Sequence, residues 1–158
     1  MTTTDVTIAR ATWRDTWALW RLERACFPRE AYDPLTLLLL VVWPGNVALK
    51  ATNGREIIGF VAGDHRWDEQ VAWIVTLGVA PPCQRRGLGA QLLAECEALL
   101  EAPTLRLMVR EGNAPAVALY RKFGYAHVRR EAGYYNGGEA GLLMEKRRER
   151  GDRDRDGR

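Results

Sequence analysis

Gln84-Arg85-Arg86-Gly87-Leu88-Gly89-Ala90 stands between a strand-like run, Val71 to Val79, and an amphipathic stretch, Leu88 to Leu100. That placement gives its glycines a meaning. Backbone N–H groups in the first turn of a helix have no intrahelical partner and lie at the positive end of the helix dipole, so a turn there suits an anion. Glycine lets a phosphate approach the main chain with no Cβ in the way. No Gly-Lys-Ser/Thr follows, so this is not a P-loop, and the third glycine and first-strand position of the dinucleotide fingerprint are missing. On spacing alone the segment is either a phosphate cradle or an ordinary turn with a glycine cap.

Working outward, Leu88, Leu92, Leu93, Cys96, Leu99 and Leu100 form one apolar face of the helix, with Glu95 and Glu97 on the wet one. Upstream, Glu56 to Gly63 and Val47 to Ala51 read as strands joined by Asn53-Gly54, a strong hairpin signal. Before them come two helices. Asp33-Pro34 opens the second, filled by Leu35 to Trp43 and closed by Pro44-Gly45. The first is capped by Thr12 or Asp15, carries Trp13, Trp17 and Trp20 on a face expected in the core, and ends at Pro28. Val6 and Ile8 alternate as in a short strand. Downstream, Leu105 to Arg110 reads as a strand and Asn113 as the cap of a helix with Pro115 in its first turn and Gly124 as its stop. Tyr125 to Arg129 and Gly141 to Lys146 close the chain's body as strands. The order β α α β β β α β α β β predicts an α/β protein, a mixed sheet with helices on its faces.

The chain has 158 residues, 47% hydrophobic and 27% charged, which suits one globular domain. We expect that domain over residues 1–147 and a disordered charged tail over 148–158. The formal net charge is +3, yet Lys146 to Arg158 alone hold seven basic residues against four acids, so the body is formally neutral. Such a balance calls for neither nucleic acid nor an anionic membrane, and any phosphate affinity must come from local amides and placed arginines. The odd set Cys26, Cys83 and Cys96, with no CxxC pair, indicates neither a disulfide framework nor a zinc site. No signal pattern or membrane-length apolar run is present, so a cytoplasmic protein is expected and its oligomeric state is open.

Three segments in order, Thr76-Leu77-Gly78-Val79-Ala80-Pro81, Gln84 to Gly89, and Asn113 through Leu119-Tyr120-Arg121-Lys122-Phe123-Gly124-Tyr125, resemble the core motifs of the GCN5-related N-acetyltransferase (GNAT) family. The likeness covers roughly residues 5–146 and is strongest toward members that acetylate N-terminal α-amines, including ribosomal-protein alanine acetyltransferases. It implies the GNAT fold, a mixed central sheet with a splayed strand pair and about four helices, and acetyl-CoA as the acyl donor. It places the pyrophosphate on Gln84, Arg85, Arg86, Gly87, Leu88, Gly89 and Ala90, and the pantetheine arm along the backbone of Leu77 and Val79. The Leu77 N–H would polarise the thioester carbonyl, Asn113 would sit on the CoA side, and Tyr120 would protonate the leaving thiolate. A packing role for the Tyr120 ring fits the same spacing.

The sequence departs from the family at its bases. Where relatives carry Glu or His before the last strand residues of the Leu-x-Val-Arg/Gln segment, this chain has Met108, and where some carry Tyr on the preceding strand it has Trp73. A free α-amine has a pKa of about 7.7–8.0 against about 10.4 for lysine, so loss of a base favours the α-amine of a protein or peptide as acceptor. A lysine or small amine is the alternative substrate, and a CoA-binding sensor without turnover the alternative from another class. Phe27-Pro28-Arg29-Glu30-Ala31-Tyr32 resembles the acceptor loop of such enzymes, with Glu30 placed to receive the substrate ammonium or its proton. Tyr134-Tyr135 resembles the tyrosine pair that holds the peptide backbone. His65 and His127 are isolated, and Cys83 needs no covalent role because the amine attacks the thioester directly.

Overall fold

The computed structural model describes residues 5–66 and 70–149. Its elements are β1 (Val6–Arg10), α1 (Thr16–Cys26), α2 (Pro34–Val42), β2 (Val47–Asn53), β3 (Glu56–Arg66), β4 (Val71–Val79), α3 (Leu88–Leu99), β5 (Thr104–Arg110), α4 (Ala114–Lys122), β6 (Ala126–Glu131) and β7 (Gly141–Arg147), with short 3-10 turns at Trp13–Asp15 and Pro81–Cys83. The strands form a seven-stranded mixed sheet in the order β1-β2-β3-β4-β5-β7-β6, accompanied by four α-helices. The chain gathers into two compact units, Met1–Asp64 with Ile74–Leu100, and His65–Trp73 with Glu101–Arg158.

In the first unit β1, β2 and β3 form an antiparallel meander. The β2–β3 hairpin forms as expected, but its two loop residues are Gly54 and Arg55, since Asn53 still pairs with Glu56. Gly54, at φ +77°, supplies the positive φ that a tight hairpin needs at its first loop position. Residues 58–62 of β3 are buried in succession, because helices cover both faces here. On one side Leu19 and Leu22 of α1 and Leu37 of α2 pack with Ala48, Phe60 and Ala62, and Tyr32 and Trp20 lie against this cluster. On the other, α3 lies so near the strands that a Cβ on Gly59 would stand 2.8 Å from Leu92 Cδ1.

Two expectations about helix faces are corrected. Trp13 and Trp17 are 63% and 58% exposed, because the core face of α1 is instead Leu19, Leu22 and Glu23. Both faces of this amphipathic stretch are apolar, and periodicity cannot choose between them. On α3, Leu99 is exposed while Glu97 is buried, so the buried stripe runs Leu88, Leu92, Leu93, Cys96, Leu100. Local capping is as the sequence reads: Asp15 accepts from the Thr12 N–H at 2.8 Å and pairs with Lys50 at 2.8 Å, and the Asp33 side chain accepts from the Thr36 N–H at 3.0 Å.

In the second unit β7 lies between β5 and β6, antiparallel to both. β5 alternates strictly, burying Leu105, Leu107 and Val109 and turning Arg106, Met108 and Arg110 to the other face. Arg106 and Glu145, opposite each other in the ladder, form a 2.7 Å ion pair. The edge strand β6 is exposed along most of its length and carries Arg129 and Arg130, charges that discourage further strand pairing. Arg148 is tied by its N–H to the Pro103 carbonyl at 2.8 Å, while the rest of the expected tail from residue 150 lies outside the described residues.

Candidate active site

The first unit contributes the turn and the strand before it. Arg85 and Gly87 adopt φ values of +65° and +80°, and Gly87 is the N-cap of α3 with no side chain capping the helix. Left-handed residues in a turn aim successive N–H groups into a common concavity that favours anions. A Cβ at Gly87 would meet nothing within 4 Å, so the cradle is open above the helix start. By contrast α2 and α4 have their first amides capped by Asp33 and Asn113. The free amides and the open space fit a phosphate group, and the exposed Arg85 and Arg86 flank them. Gln84 directs its Nε2 to the Val79 carbonyl at 2.9 Å, which braces the turn against the end of β4.

The end of α1 lies flush against β4. A Cβ on Gly78 would stand 3.1 Å from Cys26 Sγ and 3.3 Å from Phe27 Cε2, so the absence of that carbon permits the approach. The Cys26 thiol donates to the Val79 carbonyl at 3.4 Å, and burial, with the nearby Glu23 charge, pushes its pKa up to about 11. Phe27 therefore enters the loop pinned beside Leu77 and Val79. Within that loop the Glu30 N–H bonds to the Phe27 carbonyl at 3.1 Å, Pro28 is exposed, and Tyr32 packs on the core cluster. The structure thus brings Phe27, Glu30 and Tyr32 into one short segment attached to the strand that carries Leu77 and Val79.

Sequence reading missed Glu23. It is only 3% exposed, and its carboxylate accepts from Thr76 Oγ1 at 2.5 Å and from the Tyr32 backbone N–H. Burial raises its pKa above the usual carboxylate value, and the two hydrogen bonds counter only part of that. The signal was present: an acid beside Leu19 and Leu22 on the apolar stripe of α1. Its partner Thr76 is 53 residues away, which no local pattern reveals.

The other residues singled out from the sequence lie in the second unit. Asn113 spends its side-chain oxygen on the Ala116 N–H, so it caps α4. Tyr120, one helical face further on, is 7% exposed, and its ring meets Tyr125 edge-on at 5.8 Å. Burial pushes its phenol pKa up to about 12, so the hydroxyl keeps its proton at any physiological pH. Met108 lies over Gly141: a Cβ there would stand 2.7 Å from Met108 Cε and 3.0 Å from Tyr134 Cδ1. Tyr134 and Tyr135 stack edge-on at 4.9 Å, and the Arg110 guanidinium lies 4.6 Å from the Tyr135 ring centre. Glu139 pairs with Arg110 and accepts from the Gly112 N–H at 3.1 Å, which fixes the loop that carries the tyrosines. Trp73 Nε1 is buried without a hydrogen-bond partner among the described residues.

An uncapped, glycine-opened helix start after a strand is an arrangement suited to an anion. The acetyltransferase (GNAT) family model matches residues 13–125, and the chain belongs to that family of acetyltransferases. It is 31% identical over 156 residues to the N-alpha-acetyltransferase RimI of Mycobacterium tuberculosis, covering 95% of this chain and 96% of the relative. It is 30% identical over 122 residues to N-alpha-acetyltransferase 20 of Dictyostelium discoideum, covering 73% and 70%. Among solved structures, the ribosomal-protein-S18-alanine N-acetyltransferase of Escherichia coli superposes with a TM-score of 0.84 at 24% identity, over 94% of this chain and 98% of that one. Arabidopsis thaliana NAA60, solved with acetyl-CoA, gives 0.78 at 23% identity, over 90% and 98%. Among the described residues no helix is long and apolar enough to cross a membrane.

Proposed function

We propose that this acetyltransferase moves an acetyl group from acetyl-CoA to the α-amine of a protein or peptide N-terminus. The observation that carries the acceptor assignment is the side chain at position 108: Met108, packed over Gly141 beside Tyr134, is neither a carboxylate nor an imidazole and cannot itself deprotonate an amine of high pKa. An α-amine, about 2.4–2.7 pKa units more acidic than lysine, supplies a neutral nucleophile without one. The curated relatives, named as N-alpha-acetyltransferases, support the same reading.

Acetyl-CoA, when bound, supplies a reactive acetyl thioester. The N–H groups from Gly87 to Ala90 hold its pyrophosphate, with Arg85 and Arg86 adding charge. Leu77 and Val79 align the pantetheine arm, and the Leu77 N–H polarises the carbonyl. Tyr134 and Tyr135 hold the acceptor backbone, and Glu30 of the Phe27–Tyr32 loop binds the acceptor's ammonium end. The acceptor's neutral amine forms the C–N bond as the C–S bond breaks; Tyr120 gives its hydroxyl proton to the departing thiolate, and the proton that nitrogen sheds on becoming an amide passes through solvent and restores the phenol.

Thiol release from acetyl-CoA, followed with short peptides bearing free or blocked N-termini, tests the reading. Free peptides should be consumed and blocked ones spared. Turnover confined to small amines, or CoA binding with no turnover on any amine, overturns it.

A further inference from the structure

The buried carboxylate of Glu23 joins two segments that the proposed reaction needs in register. One of its partners is a side chain of the cofactor strand, Thr76 Oγ1 at 2.5 Å, immediately before Leu77. The other is the backbone N–H of Tyr32, at the far end of the acceptor loop. At the near end of that loop the Cys26 thiol bonds to the Val79 carbonyl, and Cys26 and Phe27 fill the space over Gly78. The loop is therefore fastened to β4 at both ends, and the Glu23 fastening uses a charge-bearing group.

A carboxylate is a poor choice for packing alone, since burying it costs more than burying an apolar group of similar volume. It can, however, accept hydrogen bonds from two directions at once, which no apolar side chain can do. We propose that Glu23 is a positioning residue that holds the acceptor loop, residues 27–33, in register with the Thr76–Val79 segment of β4. Through Thr76 it is anchored to β4, and through Tyr32 it fixes where Glu30 presents the amine. It touches neither substrate. This role rests on the acetyl-transfer reading above, and it adds a determinant of acceptor use distinct from donor binding.

Three variants and two readouts test it. Glu23→Ala and Thr76→Val should each lower kcat/KM for a free-N-terminus peptide by about ten- to a hundredfold, the scale set by small misplacements of reacting groups. Acetyl-CoA affinity, measured by direct titration, should stay within about twofold because the α3 amides are untouched. Thr76→Ser keeps the hydroxyl and should restore peptide use. Independently of activity, exchange of the Tyr32 amide should accelerate about tenfold or more in Glu23→Ala and Thr76→Val, with β3 amides unchanged. If Glu23→Ala does not fold, Thr76→Val carries both readouts alone. Wild-type exchange and wild-type peptide use in Thr76→Val overturn the proposal, as does acetyl-CoA affinity falling in step with peptide use. A wild-type chain that acetylates no α-amine sinks the proposed function instead, and the Tyr32 exchange still decides the role of Glu23.

Discussion

Replacing Tyr120 by Phe removes one oxygen and leaves the fold's packing in place. The ring keeps its edge-on contact with Tyr125 at 5.8 Å and its buried position, so stability should change by no more than about 1 kcal/mol. Catalysis should change far more. With the phenol pKa pushed up to about 12, roughly one hydroxyl in 10⁴ is ionised at pH 8, and the group is available as an acid throughout the working range. A general acid of this kind contributes about 10²–10⁴-fold, and Tyr120→Phe should lose kcat by that factor. Acetyl-CoA titration and a melting curve should both remain close to wild type. The assay is thiol release at saturating donor and peptide, repeated with an acetyl thioester whose thiol is more acidic. The defect should narrow with the better leaving group, because that thiolate needs less help from a proton. A kcat within about twofold of wild type would refute the acid role and leave Tyr120 as a packing residue.

The helix start and the acid–base ties give two further outcomes. Gly87→Ala places a Cβ on a residue at φ +80°, which costs about 1–2 kcal/mol of stability, and should weaken acetyl-CoA binding by titration more than peptide use at saturating donor. At Asp15, burial opposes the charge, but the Lys50 ammonium and the Thr12 donors outweigh it and lower the pKa. A depressed carboxylate stabilises the fold above its unfolded value and loses that contribution as pH falls through the folded one. Asp15→Asn should therefore unfold more easily than wild type at pH 7, by about 1 kcal/mol for a pair this near the surface, and the difference in denaturant midpoints should close well below pH 3.8.

Much of the fold was legible because local rules and tertiary packing agree. The strict alternation of β5 named its buried residues, the leucine spacing of α3 named its core stripe apart from Leu99, and Asp33 and Asn113 mark their helix starts. Where two faces of a helix were both apolar, as in α1, the pattern located a helix and left its orientation open. Glu97 shows the converse: a charged side chain expected on the wet face of α3 is buried. The turn before α3 could be read because glycine reports a backbone requirement directly, and Gly87 has a positive φ. Glu23 could not, because its meaning depends on Thr76 and on a backbone amide brought to it by the fold. Charge is local too, since the formal excess lies in the C-terminal segment while the body is formally neutral.

The acceptor assignment predicts where on a single molecule the acetyl group lands. A peptide with a free N-terminus and one internal lysine, incubated with acetyl-CoA and the enzyme at pH 7, offers both amines at equal concentration. The neutral fraction of the α-amine exceeds that of lysine by about 230- to 420-fold, and Met108 carries no base to reverse that order. Fragment mass spectrometry should find the acetyl group on the α-amine. Acetylation of the lysine in preference to the α-amine would contradict the account.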